Sequence, residues 1–109
     1  MRNQYQEFAK TLGITKEFKI VLKNTHNKKA DAKYWGMYTN KILVYHLIHV
    51  FMLDAYRDLD TLIAHELIHA SQEEMGLKEM HGSYFQTEAK RMEYIFGLTD
   101  IYIPDTDIP

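Results

Sequence analysis

Cysteine is absent from the 109-residue chain. That removes disulfides, thiolate zinc sites and cysteine nucleophiles together, and it fits a reducing compartment. Serine occurs only as Ser71 and Ser83, and neither sits in a nucleophile-elbow sequence. The five glycines form no phosphate-binding loop. No charge sign dominates: 13 Lys and Arg face 15 Asp and Glu, a net charge of −2. A general nucleic-acid-binding role is therefore not favoured. The longest apolar-looking run, "ILVYHLIHVFML", has 12 residues and two histidines, too few to span a bilayer. The N-terminal "MRNQYQEFAK" lacks the apolar stretch of a secretory signal. The expected setting is the cytoplasm, with no membrane partner. Hydrophobic residues make up 46% and charged residues 26%, a globular composition. The length suits one domain over residues 1–109, burying roughly 65% of its unfolded surface.

Residues 3 to 12 read as a helix, with Tyr5, Phe8, Ala9 and Leu12 on one face and Gly13 as a stop. "KEFKIVLK" alternates, with Phe18, Ile20 and Leu22 pointing one way, and reads as a strand. "NTHNKKADAK" is a polar, basic loop. "YWGMY" and "KILVYHLIHVFM" read as two strands joined by a turn at Thr39-Asn40-Lys41. Asp58 is a plausible N-cap for a helix from Leu59 to about Met75, with Gly76 in the usual stop position. A second helix starts near Gly82-Ser83 and ends at Gly97, with Phe85, Ala89, Met92 and Phe96 on one face. The tail offers a short strand at Ile101 to Ile103. This order suggests an α+β fold: an N-terminal helix, a three-stranded, mainly antiparallel sheet, then two packed helices.

The stretch "TLIAHELIHA", Thr61 to Ala70, puts two histidines and a glutamate into an otherwise apolar run. A buried polar group costs free energy unless it finds a partner. His65 and His69 are four apart, on one helix face, so both imidazoles can reach one metal ion. Glu66 lies about 100° round the helix, where it can reach a water on that metal. Two ligands and a general base on one turn is the logic of H-E-x-x-H. Leu62, Ile63, Ala64, Leu67, Ile68 and Ala70 cover nearly every other direction, so the helix is expected to be buried. A zinc site that does chemistry keeps three protein ligands and an open position. His81, just before the second helix, is the first candidate for the third ligand, and Glu88 is the alternative. The metzincin variant is excluded, because Gln72 and Met75 stand where it needs glycine and histidine.

"HELIHA", then "HGSYF" with eleven residues between His69 and His81, resembles the SprT-like (Spartan-type) zinc metallopeptidase domain. The hairpin before the active-site helix is similar too, and the likeness covers about residues 34 to 96. It implies a minimal zincin-like fold, Zn2+ on His65, His69 and His81, Glu66 as catalytic base, and a protein or peptide substrate. Spartan-type proteins often carry a cysteine zinc ribbon, which this chain without cysteine departs from. The resemblance also suggests DNA association, which the net charge does not support.

Peptide hydrolysis of this kind calls for a further donor to the oxyanion, and Tyr84, Tyr45 and His49 are the candidates. The strand from Ile42 to Tyr45 is a candidate sheet edge for pairing with an extended peptide. His46 and His49, three apart on a strand, point to opposite faces and read as ordinary strand histidines. Lys23, Lys28, Lys29 and Lys33 read as a solvated loop, and His26 as solvated. The alternative to a peptidase is a catalytically silent metal-binding module on the same fold, serving protein interaction or regulation. Glu66 favours the peptidase, because a purely structural site has no use for a base beside the metal.

Overall fold

The computed structural model describes residues 3–27, 30–53, 55 and 57–104. Six elements follow in order: α1 (Asn3–Thr11), β1 (Glu17–Lys23), β2 (Ala32–Thr39), β3 (Ile42–Phe51), α2 (Leu59–Met75) and α3 (Ser83–Phe96). This is the expected α+β layout.

The hairpin between β2 and β3 turns on Asn40 and Lys41, at φ 51° and 66°. Positive φ at both central residues is what a type I′ turn needs to match the twist of its strands. The sheet order is β1-β3-β2, with β2 antiparallel and β1 parallel to β3. The sheet is thus mixed, one pairing of each kind. The segment from Ile42 to Tyr45, expected at an edge, belongs to the central strand, because β1 docks along its other side. The edges among the described residues are β1 and β2. Alternation sends His46, Ile48 and Val50 of β3 into the core, fully buried. Phe18 and Ile20 of β1 pack there as well, whereas Leu22, at the strand's far end, stands exposed.

Helix α2 lies at the centre of the molecule. It packs on β2 and β3 below and against α1 and α3 at its sides. Every residue from Thr61 to Gln72 is buried, as an apolar-all-round sequence demands. The helix ends at Gly76, φ 72°, a left-handed position that glycine takes without strain. The outer helices are tied together and to α2 by specific contacts. Phe8 meets Phe96 edge-on at 4.7 Å, Tyr5 donates to Asp60 at 2.7 Å, and Arg91 donates to the Thr11 carbonyl at 2.8 Å.

One carboxylate pins the α1–β1 loop to the core. Glu74 accepts from the Thr15 and Lys16 amides at 2.9 and 3.0 Å, from the Thr15 hydroxyl at 2.9 Å, and from His46 Nε2 at 2.7 Å. An ionised carboxylate only accepts, so Nε2 carries the proton; in the neutral ring the Tyr34 hydroxyl, 2.7 Å away, then donates to Nδ1. Burial pushes the Glu74 carboxyl up, but the bonds from His46, Lys16 and Thr15 outweigh it and hold it below the ordinary glutamate range. The folded carboxyl therefore stays ionised at lower pH than the unfolded one. Its contribution to stability is complete above the unfolded value of about 4.3 and is lost as pH falls through the folded value. Thermal melts taken from about pH 6 down to about pH 3 should show wild type losing stability steadily. Glu74→Gln should start lower and fall less; a parallel fall in the two proteins would remove Glu74 as the cause.

The tail departs from expectation. Ile101 to Ile103 form no strand. Asp100 takes φ 61°, and both backbone groups of the fully buried Ile101 are claimed by side chains. Its N–H donates to Glu93 at 3.0 Å, and its carbonyl accepts from His65 at 2.6 Å and from Arg57 at 3.1 Å. Nothing is left for a ladder. Of the loop lysines, Lys28 and Lys29 lie outside the described residues; Lys23 and Lys33 sit on β1 and β2. His26 is exposed.

Candidate metal centre

His65 and His69 project from the middle of α2, and His81 comes back to them from the turn before α3. The three ring centroids stand 5.0, 5.2 and 5.1 Å apart. One ligand nitrogen from each lies within 4.8 Å of the others, and the Nε2 atoms of His65 and His81 are 3.4 Å apart. Zinc–nitrogen bonds of 2.0–2.1 Å in a tetrahedron put ligand nitrogens about 3.3 Å apart. The cluster could hold a metal ion.

The far sides of two rings are fixed. The His65 Nδ1–H donates to the Ile101 carbonyl at 2.6 Å. The His69 Nδ1–H donates to Gln72 Oε1 at 2.8 Å. The Gln72 amide cannot be reversed, because its Nε2 donates to the Glu79 and Met80 carbonyls at 2.8 and 3.1 Å, and carbonyls only accept. A proton held on Nδ1 leaves the Nε2 lone pair for a metal, and such outer partners set ring orientation and basicity. Gln72 also ties His69 to the loop that delivers His81. With a metal ion held by the three histidines, Gln72→Ala should weaken its binding about 10–100-fold, measured by competition with a chelator of known affinity. Unchanged affinity would show that the loop holds His81 without it.

Phe85 sits over this triangle. Fully buried, its ring lies 4.7, 4.8 and 4.8 Å from those of His65, His69 and His81. Glu66 is 1% exposed, with its carboxylate 3.9 Å from His65 Nε2. It is thus held beside the triangle in a low-dielectric setting.

Glu88, the alternative ligand, is elsewhere. It forms a two-pronged pair with Arg91 at 2.9 and 2.7 Å and is not part of the histidine group. The oxyanion candidates are not gathered either. Tyr45 and His49 lie on the sheet face opposite α2, where Lys19 stands over the Tyr45 ring at 4.7 Å and His49 packs on Trp35 at 4.8 Å. Tyr84 pairs its hydroxyl with Ser71 at 3.0 Å. His46 and His49 do face opposite ways, as expected.

A cleft of about 370 Å³ opens beside the triangle. Its lining includes Glu66 and His69 from α2, Tyr34, Gly36 and Tyr38 from β2, and Leu77 and Met80 from the loop. The accessible edge strand along it is β2. Gln72, Phe85 and the Ile101 carbonyl were not singled out by sequence reasoning as parts of the site. Phe85 had a signal, as the last residue of H-G-x-x-F; the other two had none. No helix among the described residues is long and apolar enough to cross a membrane. Compared with protein-family models, with curated proteins and with solved structures, the chain matches none.

Proposed function

We propose that the chain is a zinc-dependent peptidase of the SprT-like kind, hydrolysing peptide bonds with Glu66 as general base. One observation carries the reading: three histidines converge on a point beside a buried glutamate, at the side of an open cleft. The donor set fits zinc, since three imidazoles without thiolate are a common catalytic set. His65, His69 and His81 would hold the ion. Bound there, zinc would supply Lewis acidity, lowering the pKa of water to about 7 and polarising a carbonyl. Glu66 takes the proton from the attacking water and passes it to the leaving amine. The outer edge of β2, which no strand among the described residues covers, gives an extended peptide a strand to lie against.

The test is metal content by elemental mass spectrometry on protein purified without a metal-binding tag, alongside cleavage of an unfolded protein substrate. About one zinc per chain, lost in His81→Ala, together with zinc-dependent cleavage, is the expected result. Wild type that takes up no metal when zinc is offered would sink the reading.

A further inference from the structure

The cleft beside the histidines holds a second group of polar atoms that hydrolysis does not use. Glu73 lies one turn beyond His69 on α2, and its carboxylate accepts from the Tyr38 hydroxyl. Tyr34 lines the same wall, and its hydroxyl is spent on His46. Both hydroxyl protons are therefore committed, that of Tyr38 to Glu73 and, with the His46 ring neutral, that of Tyr34 to Nδ1. What the phenol oxygens and the carboxylate still offer the cleft is acceptor capacity only. Gly36 stands between them. A Cβ there would come within 3.2 Å of Glu73 Cγ and 3.2 Å of the Tyr34 hydroxyl, so glycine keeps the floor open where these groups converge.

A space walled by two phenol rings and floored by acceptors suits a guest that is all donor. We propose that this end of the cleft reads a basic side chain, arginine or lysine, of the bound peptide, with Glu73 as its counter-ion. The charged head meets the carboxylate. The aliphatic stem lies along the Tyr34 and Tyr38 rings. The local field agrees: burial and then Glu73 push the Tyr34 phenol far above its ordinary range, and the bond to Glu73 raises that of Tyr38. Lys78, exposed at the rim, opposes the same guest.

The proposal rests on the peptidase reading for its substrate, so its test uses binding rather than turnover. Zinc-loaded Glu66→Gln protein is immobilised and offered a pool of short randomised peptides. The retained peptides are sequenced by mass spectrometry. Arginine and lysine should be enriched at one position. Adding Glu73→Gln should cut that enrichment about tenfold, Glu73→Asp should restore part of it, and Lys78→Ala should increase it. Glu73 is exposed, so these variants should fold, which circular dichroism checks. No basic enrichment, or enrichment indifferent to Glu73→Gln, overturns the proposal. Cleavage by wild type without a basic preference overturns it and leaves the peptidase reading standing. Glu73-dependent capture of basic peptides that wild type never cuts supports the subsite and removes the peptidase.

Discussion

Glu66→Gln is expected to lower kcat for peptide cleavage by about 10²–10⁴-fold while the chain keeps its full zinc content. Glutamine has nearly the shape of glutamate and keeps two polar atoms, so the buried position at 1% exposure is refilled without a void. What disappears is the ability to take a proton. His65, His69 and His81 are untouched, and the Nδ1 bonds from His65 to Ile101 and from His69 to Gln72 do not involve Glu66. The expected signature is therefore a split: metal retained, turnover gone. Paired elemental analysis and initial-rate measurements on one preparation read both. Turnover near wild type would move the proton to another group. Loss of zinc together with turnover would make Glu66 a support for the ligands instead.

Phe85→Ala should be the most damaging single change outside the ligands. Removing a fully buried phenylalanine costs about 3–5 kcal/mol of stability, a large share of what a domain this size has. Here the void would open against all three histidine rings of the triangle at once. The imidazoles would gain rotational freedom, and zinc would have to restrain them at its own expense. Denaturant unfolding with a chelator and again with saturating zinc separates the two effects. The loss should be larger with zinc than with chelator, because zinc stabilises the fold by its affinity and that affinity drops. Equal losses would make Phe85 an ordinary core residue.

The local elements were readable because their causes are local. Gly76 and Gly97 end α2 and α3 at left-handed positions, and Asn40-Lys41 sits at a two-residue turn. Asp58 stands at the N-cap position of α2, but its side chain makes no capping hydrogen bond. The H-E-x-x-H spacing put His65 and His69 on one helix face, and His81 joined them through one chain reversal. The pairing of β1 with β3 was not readable. The two strands are parallel neighbours in the sheet but are separated along the chain by β2, so no turn chemistry records their register. Strand alternation put His46 and His49 on opposite faces, but it could not say that His46 would meet Tyr34 and Glu74. Ile101 was misread for the same reason. Its β-branched neighbourhood suggested a strand, while Glu93, Arg57 and His65 had already taken its backbone.

The bond between His65 and the Ile101 carbonyl joins two parts of the chain 36 residues apart. While the segment after α3 is undocked, the first histidine lacks the acceptor that fixes its tautomer. The triangle gathers from α2 and the turn before α3, but its first ring is oriented only once Ile101 is seated. The segment after α3 is thus a latch on the candidate metal centre: loosening it would free a ring without changing any of the three histidines.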